Sequence, residues 1–266
     1  MKYFAPPVLL LFVACHTPAS PPVGVAGSAA DPQASTFEAQ TKPLIPSSAT
    51  GAPRATTRGS LDPERFKALS RRLCVTEGEF SGGDGHVAAS KMRCVHPQSS
   101  GDQAKLVFKY QGPSQERSLL KSGASREQIG LKLRAKDSCN LLYVMWRIAP
   151  TPSVVVSFKN NPDQSTHAEC ENNGYSNLKP MLGAPPPPIG KGSEHALSAE
   201  IVNGLLTVRI DGTLVWQGAL PEAVQQLKGP AGFRSDNVEW VMLDFDAGPS
   251  AGASVEATPL HCRNER

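Results

Sequence analysis

Aromatic side chains make up only 6% of this 266-residue chain, and charged ones only 19%. With 27 Lys and Arg against 24 Asp and Glu, the balance is too even for the concentrated basic face that nucleic acids require, so no nucleic-acid partner is expected. Long hydrophobic runs are missing too. The stretch from Val8 to Ala14 falls far short of the roughly 20 residues that a membrane-spanning helix needs. The six cysteines include no pair at C-x2-4-C spacing, which leaves a zinc site without support. Nor is there a G-x-S-x-G nucleophile turn, a glycine-rich phosphate loop between a parallel strand and a helix, or a D-x-D-x-D-G calcium loop.

What the chain does have is 24 prolines and 23 glycines, a load that disfavours a helix bundle. Residues 1–15 read as an export signal: Lys2 supplies the positive start, and the apolar run from Val8 ends at Cys15. The sequence Phe12-Val13-Ala14-Cys15 resembles a bacterial lipobox, which implies that Cys15 is diacylated and becomes the new N-terminus. His16 follows where an Asp would signal inner-membrane retention, so the resemblance implies an outer-membrane lipoprotein, periplasmic or surface-exposed, held by its lipid anchor only. Residues 16–60 are Pro, Ala, Ser, Thr and Gly without strand or helix period, and read as a disordered tether of roughly 40 Å reach. Removing signal and tether leaves residues 61–266 with 23 basic and 22 acidic groups, which argues against electrostatic recruitment to polyanions.

From residue 61 onward, alternation dominates. Residues 61–75 are the exception: Asp62 can cap a short helix, Pro63 suits its first turn, and Phe66, Leu69 and Leu73 share a face. Leu106, Phe108 and Tyr110 alternate with Lys105, Val107 and Lys109, and Ile129, Leu131 and Leu133 alternate with Lys132 and Arg134. Residues 141–148 are apolar on both faces, which predicts a central strand, and Val154, Val156 and Phe158 form its hairpin partner after Pro150-Thr151-Pro152. Asn203-Gly204 and Asp211-Gly212 are hairpin turns, because Asn, Asp and Gly tolerate positive φ. Together these predict an all-β, two-sheet antiparallel sandwich over residues 76–247, with residues 248–266 as a tail.

The pattern H-x-L-x-A-x-I-x-x-G-x-L-x-V-x-I-D-G-x-x-V-W-x-G over residues 195–218, followed by a G-P-A-G-F-R-S-D-N loop over residues 229–237 and a closing strand, resembles the concanavalin A-like jelly-roll superfamily. That superfamily includes laminin-G domains, legume-type lectins, glucanases and polysaccharide lyases, so the resemblance implies fold more than activity. It implies carbohydrate as the partner. The E-x-D-x-x-E pattern of its retaining glucanases is absent, and Asp244 with Asp246 is the only closely spaced acidic pair on a strand-like run.

With Cys15 acylated, five cysteines remain. Cys139 precedes one strand of the central hairpin and Cys170 follows its partner, which predicts a Cys139–Cys170 bridge. Cys74 has two candidate partners: Cys94 nearby, or Cys262, since first and last strands are neighbours in such a sandwich.

A two-residue turn at Asp211-Gly212 puts Thr207, Arg209, Leu214 and Trp216 on one face, where a Trp ring can stack on a pyranose while Arg donates forked hydrogen bonds. Trp240 joins them as a candidate ligand-binding residue from another strand, with the hydrophobic core as the competing place for both Trp rings. The polar loop after Lys159 offers Asp163, Glu169 and Glu171 as calcium candidates; no other metal or cofactor is expected. A uronate lyase would need a carboxylate-neutralising group and a base, for which His167, Tyr175 and Lys159 are the candidates. The reading that results is a non-catalytic glycan-binding envelope lipoprotein. A polysaccharide lyase, or a structural or adhesion domain, stands as the alternative.

Overall fold

A computed structural model describes residues 61–120, 122–250 and 262. The export signal with Cys15, the tether at 16–60 and all of the tail beyond residue 250 except Cys262 lie outside the described residues.

The described chain opens with α1 (Pro63–Ser70), where the Asp62 side chain accepts from Glu64 N at 2.9 Å and Phe66 and Leu69 turn inward. Two seven-stranded antiparallel sheets follow. The first runs, edge to edge, through β1 (Cys74–Glu77), β3 (Lys91–His96), β13 (Ala231–Asp236), β5 (Glu127–Leu133), β6 (Leu141–Ala149), β7 (Ser153–Lys159) and β8 (Tyr175–Leu178). The second runs through β2 (His86–Val87), β14 (Val238–Asp246), β4 (Gln103–Pro113), β10 (Glu194–Val202), β11 (Leu205–Ile210), β12 (Thr213–Ala219) and β9 (Leu182–Gly183). This is the two-sheet antiparallel sandwich that the alternation predicts. Its core lies between the sheets, where Phe108 meets Trp146 edge-on at 6.0 Å and Phe233 meets Trp240 at 5.6 Å. Burying a ring the size of Phe108 stabilises the fold by about 2–3 kcal/mol.

The two turns of the meander fall where the sequence puts them. Asn203 and Gly204 take φ of 50° and 75°, and Asp211 and Gly212 take 52° and 81°. The segment expected as a G-P-A-G-F-R-S-D-N loop is instead largely β13, a central strand of the first sheet. Gly232 is needed there because a Cβ would sit 2.0 Å from the Cys94 carbonyl oxygen. The first sheet begins at Cys74, two residues ahead of the expected boundary at 76. Cys74 is bonded to Cys262 and Cys139 to Cys170, leaving Cys94 as a free, buried thiol.

Candidate functional site

The outer face of the first sheet carries a groove of about 1420 Å³. Its floor is set by strand register, because residues paired across an antiparallel sheet point the same way. One row runs Asp236, Gln128, Arg147 and Ser153. The next runs Arg93, Arg234, Gly130, Met145 and Val155. The third runs Gly232, Lys132, Tyr143, Ser157 and Asn177. A fourth pairs Lys159 with Tyr175 at the edge.

Asp236 is the electrostatic anchor of this floor. Its carboxylate is 1% exposed and forms ion pairs with Arg93 and, at 2.9 Å, with Arg234, while Gln128 Nε2 donates to it at 2.7 Å. Burial alone would push this carboxyl up, but the two guanidiniums and the hydrogen bonds outweigh it and hold Asp236 well below the usual carboxylate range. Arg234 in turn lies over the Tyr143 ring, 5.1 Å from its centroid. Its path to β6 crosses β5 beside Gly130, where no side chain stands in the way. Tyr143 and Tyr175 stack at 6.0 Å with their planes 23° apart, so the floor presents an aromatic pair flanked by Arg234, Asn177 and Ser157. Burial, then the neighbouring Tyr143, pushes the Tyr175 phenol up. Burial also brings the Lys132 ammonium down to about 8.

The residues expected at the site are scattered by this geometry. Trp216 and Trp240 are 2% and 0% exposed and belong to the core, which corrects their placement on a ligand face. A bulge is the reason for Trp216: Val208 pairs with Trp216 but Arg209 pairs with Leu214, so Val215 is the extra residue and alternation counted from the turn inverts beyond it. The register of β14 also slips at Glu239/Trp240 and at Met242/Asp244, and Trp240 Nε1 donates to Ser235 Oγ at 3.0 Å inside the sandwich. Thr207 and Arg209 do face outward on the second sheet, in a shallow depression of about 210 Å³ without an aromatic ring. Thr207 Oγ1 accepts from Gln217 there, and Arg209 donates to the Gly212 carbonyl.

The polar loop behaves differently from its calcium reading. Glu169 accepts from Ser165 N at 3.0 Å and Thr166 N at 2.8 Å, forming the cap of the short turn α2 (His167–Cys170). No cluster of three His, Cys, Asp or Glu side chains suited to a metal occurs among the described residues, and Asp163, Glu169 and Glu171 are not brought together as such a set. Of the lyase candidates, His167 and Tyr175 line the groove, but Lys159 is 0% exposed beneath Tyr175. Its Nζ donates to the Glu171 carbonyl at 2.6 Å and lies 2.8 Å from Cys170 Sγ, so it braces the loop rather than facing a ligand.

A Ser–His–Asp arrangement also occurs, although no G-x-S-x-G precedes it. Ser193 Oγ lies 2.9 Å from His195 Nε2, and His195 Nδ1 lies 2.7 Å from Asp211 Oδ2. The serine sits inside a turn, donating to Gly190 O at 2.6 Å and accepting from Gly190 N at 3.2 Å. Asp211 also accepts from Ala196 N, and the His195 ring packs against Phe108 and Trp146. The three residues tie the loop before β10 to the hairpin turn after β11.

Fold and groove together define an all-β jelly-roll sandwich with one polar, aromatic-floored face. No family model and no curated protein matches the sequence. Among solved structures, it is similar to a carbohydrate-binding module from Bacillus subtilis at 14% identity, covering 64% of this chain and 91% of that one with a TM-score of 0.45. A tetrameric galectin from the ball sponge Cinachyrella sp. is similar at 12% identity, covering 60% and 98%, TM-score 0.35. The Crh5 transglycosylase solved with NAG is similar at 16%, covering 66% of each chain, TM-score 0.35. At these identities and TM-scores the likenesses carry no argument.

Proposed function

We propose that this chain is a non-catalytic glycan-binding lipoprotein of the bacterial cell envelope, tethered through acylated Cys15 and residues 16–60, which takes a saccharide into the groove of the first sheet. The observation that carries this reading is the stacked Tyr143–Tyr175 pair on the groove floor, with polar side chains on either side. The Tyr175 ring, 41% exposed, can accept the C–H surface of a pyranose, and Asn177 and Ser157 supply short donors and acceptors that hydroxyls need.

One observation favours a uronate lyase as the second reading: His167, Tyr175 and Arg234 line the same groove. Proton abstraction requires a base, for which His167 and the Tyr175 phenol, pushed up by burial and by Tyr143, are the candidates. Binding needs no such base, and it is the reading adopted.

The test is a glycan panel with the full chain, run beside an assay of uronate polymers for the ultraviolet absorbance of unsaturated products. Retention of at least one glycan with no rise in absorbance is expected, and a Cys15→Ser chain leaves the membrane fraction. An absorbance rise abolished by Tyr175→Phe establishes the lyase instead. Silence in both assays leaves a structural or adhesion domain.

A further inference from the structure

The charge balance of the groove departs from that of the molecule. Seven Lys and Arg side chains line it against two carboxylates, Glu77 and Asp137, with Asp236 buried beneath. Neither lining carboxylate is free for much: Asp137 accepts from Cys139 N at 2.7 Å and from Asn140, and Glu77 lies 3.7 Å from Arg93. Asp236 is shared between two guanidiniums, so the centre of the floor keeps an excess positive charge.

The imbalance is sharpest where β5 begins and β6 ends. Arg126 and Arg147 both line the groove there, close enough that Arg126 adds to burial in drawing the Arg147 guanidinium down. Among the described residues neither guanidinium is in an ion pair. The neighbouring carboxylate, Glu127, is taken by Arg117 at 2.7 Å and by the Tyr110 hydroxyl at 3.3 Å. Arg147 Nε is buried without a hydrogen-bond partner. Two guanidiniums lining one groove with no carboxylate paired to either are unfavourable unless an anion arrives between them.

We infer that the glycan bound in this groove carries anionic substituents, and that Arg126 and Arg147 form the fork that reads them. This rests on the glycan-binding reading above. A planar carboxylate and a tetrahedral sulfate share the chemistry, since each offers adjacent oxygens to two parallel N–H donors. Tyr175 sits further along the floor, where it can carry the sugar ring while the anionic group lies at the arginine end.

The test titrates the full chain with matched pairs that differ only in the anionic group: polygalacturonate against its methyl ester, and dextran sulfate against dextran. A neutral arm of cello-oligosaccharides and laminarin is run beside them. Binding confined to the charged members is expected, weakening as salt rises, and Arg147→Ala should lower affinity about tenfold or more. Arg126→Gln repeats the test if Arg147→Ala does not fold. Which charged member binds separates carboxylate from sulfate recognition. If neutral glycans bind as well and both arginine variants retain affinity, the anion inference falls while the glycan reading stands. If no probe binds, both fall.

Discussion

Replacing Asp236 with Ala will destabilise the fold by about 3–5 kcal/mol, because it leaves two guanidiniums facing each other with no carboxylate between them. For a domain of this size that corresponds to a drop of about 10 °C in melting temperature. Both Arg93 and Arg234 are 13% exposed, so water cannot replace the lost partner in full. Asp236→Asn keeps the shape and an acceptor for Gln128, yet it still leaves the cations unneutralised, so its loss should be nearly as large. The same ion pairs set a pH dependence. The folded carboxyl is held below its unfolded range, so its stabilisation is present above pH of about 4 and fades as pH falls below that value. Thermal melts of the wild type and Asp236→Asn at pH 7 and pH 3 measure this. The gap between them should narrow at the lower pH, and an equal gap at both would contradict the assignment.

Removing the Cys74–Cys262 bridge is expected to have a comparable effect. It joins residues 188 apart in sequence, and in the chain-entropy model closing a loop of that length is worth about 5 kcal/mol. The Cys139–Cys170 bridge spans 31 residues and is worth about 3–4 kcal/mol on the same basis. Urea denaturation of a Cys74→Ser, Cys262→Ser chain should therefore show a larger loss than the corresponding Cys139, Cys170 variant. The reverse order would mean that the unfolded chain is not restrained as the model assumes. Cys94 should not interfere. Burial pushes its thiol up to about 12, so little thiolate is available for exchange.

Local backbone chemistry was readable from the sequence to a useful depth. Leu106, Phe108 and Tyr110 point into the core as their period predicts, and both Asx-Gly turns form. What escaped were features that only pairing creates. The bulge at Val215 depends on how β12 meets β11, and one extra residue is enough to bury Trp216, which alternation places outside. The same limit hid the site. Residues 141–148 look apolar on both sides, so Tyr143 and Met145 read as core although they floor a groove with Arg147. Gly229-Pro230-Ala231-Gly232 looks like a loop, and Arg234 and Asp236 read as its continuation rather than as a strand facing a groove. Their i, i+2 spacing beside the inward Phe233 was the available signal. Near-neutral charge over residues 61–266 was equally misleading, because a total says nothing about how charges are distributed between two faces of a sandwich.

Which face binds is the point to measure most directly. Once a panel has supplied a glycan, its affinity is compared in two single variants by isothermal titration: Tyr175→Ala in the groove of the first sheet, and Arg209→Ala on the outer face of the second. A groove site predicts that Tyr175→Ala weakens binding by about tenfold or more while Arg209→Ala leaves it unchanged. Loss on Arg209→Ala, with Tyr175→Ala binding like the wild type, would contradict it.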